Sequence, residues 1–321
     1  MLRGFRLPCL LAAVWWLAGA ARAAAPLIAP TELKALADAG AVRIVDVRDA
    51  EAYALQHLPG AVSAPYARWR GPATNPGLVP PLPALTALVQ ELGLTPDTRT
   101  VLVYTGVDST DFATAARSYW TLKSLGAREL SILSGGLNAW RAAGFAISDQ
   151  PGRAPRSQWQ PQFNPQWLAT RADVRQLLGS DQAVLVDSRP APFFQGRIAN
   201  DAAKARGTLP GAINLDSDLY FELGSAVLMD KASLETEADT AHAEPGQTIV
   251  TFCNAGHWSA TDWFVRSELL GQPDVKLYPG SVIDWSQAPE RLPMVNEPGR
   301  LDKLRDMLVT WAQRNLKWKT P

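Results

Sequence analysis

The chain has 321 residues, 47% hydrophobic and 19% charged, with 31 Lys plus Arg balanced by 31 Asp plus Glu. That length exceeds one ordinary domain and fits two, and the apolar share is enough to fill two cores. A net charge of zero gives no reason to expect a nucleic acid or an anionic membrane surface as partner.

Arg3 and Arg6 precede an apolar stretch over 7–20, and Ala21-Arg22-Ala23 follows as a small-x-small cleavage pattern. Residues 1–23 therefore read as a secretory signal peptide, and the apolar run is shorter than the ~20 residues that span a bilayer. The expected product is an exported protein, best fitted to a bacterial periplasm, with no stable membrane insertion after cleavage. If Cys9 leaves with the signal, Cys253 is the one cysteine of the mature chain. Exported proteins usually use cysteines in pairs, so a single one is either a reactive thiol or a small buried hydrophobe.

The rest of the chain repeats itself. Helix-like segments over 31–39 and 171–178, with caps expected from Thr31 and Glu32 and from Thr170 and Asp173, lead into two β-rich runs. These runs are Val42-Arg43-Ile44-Val45-Asp46-Val47-Arg48 and Ala183-Val184-Leu185-Val186-Asp187-Ser188-Arg189, each ending in Asp-x-Arg. His57-Leu58-Pro59-Gly60-Ala61 then matches Thr208-Leu209-Pro210-Gly211-Ala212 as a turn. Between them, 71–83 holds five prolines and reads as a loop, and the second half carries about ten extra residues between Arg189 and Pro210. Apolar strands are expected at 100–104 and 248–252, each followed by a small-residue loop and an amphipathic helix, over 112–125 and 260–270. Gly126 and Gly271 mark the ends of those helices. Strands at 130–133 and 275–277 run into Gly135-Gly136-Leu137-Asn138-Ala139-Trp140 and Gly280-Ser281-Val282-Ile283-Asp284-Trp285. Alternating strands and helices predict an α/β fold in each half, a mainly parallel sheet with helices on both faces. The expected units are 27–149 and 167–290, joined by a Pro-, Gln- and Arg-rich linker over 150–166. A tail over 291–321 follows, with a helix expected at 300–317.

Cys253 opens the loop Cys253-Asn254-Ala255-Gly256-His257-Trp258-Ser259 between a strand and a helix, where the first half has Thr105. Small residues let successive backbone N–H groups converge into a cradle for an anion, helped by the helix N-terminus. Those donors favour an anionic sulfur, so Cys253 reads as the reactive residue.

The tandem α/β halves, the two Asp-x-Arg ends, the Pro-Gly-Ala turn and Cys-x-x-Gly-x-x-Ser before a helix together resemble the rhodanese sulfurtransferase family. The resemblance covers roughly 31–285, and the loss of cysteine at Thr105 fits its N-terminal domain. It implies a two-step transfer: the Cys253 thiolate takes the outer sulfur of a donor such as thiosulfate, and the persulfide rests in the loop from Asn254 to Ser259. Cyanide or a thiol, a protein thiol included, then removes the sulfur, and neither metal nor organic cofactor is implied. Arg189 matches the family's substrate-binding arginine, with a structural ion pair to Asp187 as its other reading. Arg48 is read as structural, and Asp187 as fixing the loop near the site. His257 either binds substrate oxygens or tunes the thiol, or else points away; Trp258 either packs or walls the pocket; and Arg197 and Arg206 lie in the extra stretch without a fixed role.

Thiosulfate is the favoured donor. Asn254, His257 and Trp258 break the Cys-Gly-Ser-Gly-Val-Thr pattern usual for 3-mercaptopyruvate, which stays the alternative. Neutral Asn254 and Ala255 also depart from thiosulfate-using members, which often carry basic residues just after the cysteine. A cysteine phosphatase would need arginine at the position of Ser259. A persulfide carrier that serves a dedicated partner without turnover is the reading from a different class.

Overall fold

In a computed structural model the described residues are 24–299. The signal peptide expected at 1–23 and the helix expected over 300–317 lie outside them.

The first half runs β1 (Leu27–Ile28), α1 (Pro30–Asp38), β2 (Arg43–Asp46), α2 (Ala50–Leu55), β3 (Val62–Ser63) and a 3-10 turn (Tyr66–Trp69). It continues through α3 (Leu82–Glu91), β4 (Thr100–Val103), α4 (Ser109–Ser124), β5 (Leu130–Leu133) and α5 (Gly136–Ala142). Its strands are all parallel, in the order β1-β5-β4-β2-β3. The second half repeats the plan with α6 (Arg171–Leu177), β6 (Ala183–Asp187), α7 (Ala191–Phe194), β7 (Ile213–Asn214) and a 3-10 turn (Ser217–Tyr220). Then come α8 (Lys231–Asp239), β8 (Thr248–Phe252), α9 (Trp258–Trp263), β9 (Val275–Leu277) and α10 (Ser281–Ser286). This sheet is parallel too, in the order β7-β6-β8-β9, and Leu168 makes one parallel bridge to Leu277 where the first sheet pairs β1 with β5. Parallel strands need crossover helices on the sheet faces, which is why β4 and β8 are apolar runs rather than alternating ones.

Local details depart from the sequence reading in four places. The N-cap of α1 is Ala29, whose N–H is taken by the Glu32 carboxylate at 3.1 Å, so Thr31 lies inside the helix. The Thr170–Asp173 capping box forms as expected. The helix after β4 starts at Ser109, because the Asp108 carboxylate accepts the Asp111 N–H at 2.8 Å and caps it there. After β8, α9 starts at Trp258 and passes at Phe264 into a π-helical turn, Phe264–Leu269. The proline-rich stretch gives way to α3 at Leu82, since prolines fit the first turn of a helix, where the N–H has no partner to lose.

The halves share one core. Phe264 packs edge-on against Phe112 at 5.8 Å and Tyr119 at 5.0 Å, so α4 and the α9 segment lie face to face. Burying each such ring contributes roughly 1.5–3 kcal/mol. Lys123 reaches across to Glu268 at 2.7 Å and the Tyr119 hydroxyl donates to the same carboxylate. Residues 151–164 have no regular structure but are tied to the first half by Gly152 N–H on Tyr53, Ser157 N–H on Gln90 and Asn164 N–H on Ser124. Residues 291–299 are irregular, with Val295 bridging Thr208.

Candidate active site

Parallel α/β sheets present their working residues beyond the carboxyl ends of the strands, and Cys253 stands there, one residue past β8. It is buried, at 1% exposure. Its Sγ accepts the N–H of His257 at 3.2 Å. One N–H expected to face the sulfur is turned elsewhere: Gly256 donates to the Ser281 hydroxyl at 3.1 Å, as the N–H of Cys253 itself does at 3.0 Å. The N–H groups of Asn254, Ala255 and Trp258 have no hydrogen-bond partner among the described residues. The cradle is thus one donor already on the sulfur and several more on the same loop. Gly256 has φ +62° and a Cβ there would lie 2.2 Å from Arg117 Nη1, so only glycine fits.

Ser281 holds φ +55°, a left-handed conformation costly for a side-chain residue, where the first half has Gly136 at +59°. The hydroxyl that collects two loop N–H groups explains why serine replaces glycine.

The two Asp-x-Arg motifs make the same buried fork. Arg48 Nη2 lies 2.6 Å from Asp46 and bonds the Gln56 carbonyl; Arg189 Nη2 lies 2.6 Å from Asp187 and bonds the Gly207 carbonyl. Arg189 adds one contact, Nη1 to Asn254 Oδ1 at 3.3 Å. With 1% of its surface exposed, it carries the ion pair to Asp187 and meets the Cys253 loop through Asn254. Asp187 also accepts the Thr208 hydroxyl at 2.6 Å and so fixes the strand end. Arg197 is exposed, its carbonyl takes a bond from Arg206, and Arg206 lines a groove with Lys204 and Arg291.

The first half closes over the loop. The Tyr66 hydroxyl lies 2.8 Å from His257 Nδ1, and the imidazole also bonds the Thr110 backbone. Burial pushes His257 down to about 3, and the Arg70 charge adds to this against the Thr110 bond. Tyr66 is shifted upward by burial, so it keeps its proton and donates it to a neutral ring. Nδ1 is therefore engaged with the first half, and what His257 offers the sulfur is its backbone N–H. Trp258 donates its indole N–H to the Thr110 hydroxyl at 3.1 Å and packs edge-on against Phe193. Arg70 reaches the Ala255 carbonyl at 3.4 Å and Arg117 the Gly256 carbonyl at 3.0 Å.

Thr105 occupies the matching place in the first half, and its loop is already filled by its own side chain. The Asp111 carboxylate takes the N–H groups of Thr105, Gly106 and Val107 at 3.4, 2.6 and 3.1 Å. Six residues after Cys253 the second half has Ser259, whose hydroxyl is buried without a partner among the described residues. One fold thus makes the same donor loop twice and satisfies it internally in only one half.

A family model described as Rhodanese-like domain matches the chain twice, over 29–143 and 170–288. The chain belongs to the rhodanese family. Among rhodanese relatives, a thiosulfate sulfurtransferase of Pseudomonas aeruginosa is 31% identical over 82% of this chain and 95% of its own. A 3-mercaptopyruvate sulfurtransferase of Escherichia coli is 26% identical over 74% of this chain and 82% of its own. In structure, the rhodanese fold of SseA from Escherichia coli superposes with a TM-score of 0.71 at 23% identity, covering 80% of this chain and 98% of that one.

Sequence reasoning placed the rhodanese cysteine loop but missed Tyr66, Arg70, Thr110, Arg117 and Ser281. The glycine-to-serine exchange between the repeats was the available signal for Ser281; the others lie far from Cys253 along the chain.

Proposed function

We propose that this chain is a sulfurtransferase that moves the sulfane sulfur of thiosulfate to cyanide or a thiol through a persulfide on Cys253. The observation that carries this reading is the Cys253 sulfur under the His257 N–H, on a loop whose Asn254, Ala255 and Trp258 N–H groups have no partner among the described residues. A soft nucleophile set in oriented donors is what sulfane transfer requires.

In the first step the Cys253 thiolate attacks the outer sulfur of thiosulfate; a new S–S bond forms, the donor's S–S bond breaks, and sulfite leaves with the bonding pair. The persulfide keeps the negative charge, which the loop N–H groups stabilise. In the second step cyanide or a thiolate attacks the outer sulfur and the Cys253 thiolate leaves. Asn254 is held by Arg189, and Trp258 at the start of α9 packs edge-on against Phe193. The basic, apolar and small-x-small pattern of residues 1–23 supports action in the periplasm after export.

The test is steady-state product formation with thiosulfate and cyanide, run in parallel with 3-mercaptopyruvate, on the wild type and on Cys253→Ser. Thiocyanate formation from thiosulfate that disappears in the folded serine variant supports the reading. A preference for 3-mercaptopyruvate overturns the donor, and turnover that survives in Cys253→Ser overturns the mechanism.

A further inference from the structure

We infer that Arg117, a residue of the non-catalytic half, is the positioning residue that sets both the charge and the orientation of the donor on the Cys253 sulfur. This rests on the sulfurtransferase reading above.

Four arginines are buried among the described residues: Arg48, Arg117, Arg189 and Arg266. Three are neutralised by a carboxylate, Asp46 and Asp187 at 2.6 Å and Asp262 at 2.7 Å. Arg117, with no exposed surface, has no carboxylate within 4.0 Å among the described residues. Its Nη1 and Nη2 donate to the carbonyls of Gly256 and Gly77, at 3.0 and 2.9 Å, its Cζ lies 5.1 Å from the Trp120 ring centroid, and its Nε has no partner among the described residues. A guanidinium buried this way is costly unless a negative charge faces it. Burial pulls the guanidinium down to about 10, Arg70 adds to the fall, and Tyr66 and Cys253 oppose it. Tyr66 keeps its proton and Arg70 has the same sign. The Cys253 sulfur lies one peptide away, with Arg117 on the Gly256 carbonyl at 3.0 Å and Sγ on the His257 N–H at 3.2 Å, so it is the group placed to supply the counter-charge.

The contact also orients the donor. The carbonyl of Gly256 and the N–H of His257 belong to one planar trans peptide and point in opposite directions. Arg117 holds the carbonyl end at 3.0 Å, and the N–H end lies 3.2 Å from Sγ. One rigid peptide links the guanidinium to the sulfur, and the charge at one end polarises the donor at the other.

The experiment compares rates of Cys253 alkylation by iodoacetate, an anion, and by neutral iodoacetamide, which share one leaving group. The wild-type iodoacetate-to-iodoacetamide ratio should exceed that of a small free thiol by at least about fivefold, as expected for fixed positive charge near the sulfur. Arg117→Met should bring the ratio down toward that of the free thiol, and Arg117→Lys should keep most of it and recover part of kcat for sulfur transfer. A folded Arg117→Met variant with the wild-type ratio overturns the assignment. Should that variant fail to fold, a wild-type ratio no higher than the free thiol's overturns it equally. Because no sulfur donor is present, charge discrimination without any sulfur transfer would sink the sulfurtransferase reading and leave this role of Arg117 standing.

Discussion

The Ser281 hydroxyl accepts the N–H of Cys253 at 3.0 Å, so the residue that bears the sulfur is anchored by a side chain 28 positions later. The same oxygen takes the Gly256 N–H and donates to the Tyr278 carbonyl. Ser281→Gly removes both loop contacts, each worth about 1 kcal/mol, while relieving the left-handed backbone. The expected result is a fall in kcat/KM of about tenfold with little change in melting temperature. Ser281→Ala should lose the same activity and also stability, because it keeps the strain; enzyme assay and thermal melts of both variants check this.

Burial, with the charges of Arg70 and Arg117 adding to it, holds the His257 ring in its neutral form, with a folded-state pKa of about 3 against an ordinary 6.5. The rate of sulfur transfer should therefore show no titration of His257 between pH 5 and 8. Stability behaves differently. Below 6.5 the unfolded chain binds a proton at this ring that the folded chain refuses, so stability is full above 6.5 and declines as pH falls toward 3. Urea unfolding at pH 7.5 and pH 5 should show a smaller loss in His257→Gln than in the wild type.

Asp111 satisfies three loop N–H groups in the half that lacks a cysteine. Asp111→Ala leaves those donors unpaired and should cost about 2 kcal/mol of stability. Thiocyanate formation per folded molecule should stay at the wild-type level, since the loop of Thr105 takes no part in the transfer. A melt and an assay on the same sample read both quantities.

Arg48 and Arg189 make matching buried ion pairs, and removing either cation strands a carboxylate that has no exposed surface. Arg48→Met and Arg189→Met should each cost about 3 kcal/mol in chemical denaturation. Only Arg189→Met should also slow sulfur transfer in the folded protein, because only Arg189 continues to Asn254 beside the sulfur.

The repeat could be read from the sequence because its signals are local: an apolar run, a turn and a glycine stop recur in order in each half. The strands at 130–133, 248–252 and 275–277 fall where those signals put them. Helix starts were less legible, since they depend on caps such as Asp108 and Ala29, and α8 carries only a weak apolar face, with Leu234 and Ala238 buried. The cysteine loop was legible as chemistry, but its surroundings were not. Tyr66 meets His257 across 191 positions and Arg117 meets Gly256 across 139, contacts that exist only once α4 packs on α9. Periodicity carries no information about such a meeting. The Arg189–Asp187 pair, two positions apart, was legible as one of two readings, whereas the Arg189 contact to Asn254 spans 65 positions and was not.

The measurement closest to the central claim is intact mass of the purified protein after exposure to thiosulfate and then to cyanide. The account predicts a gain of one sulfur atom, located on Cys253 by peptide mapping, and its loss with release of thiocyanate. An unchanged mass on a thiol shown to be free and reactive would contradict it.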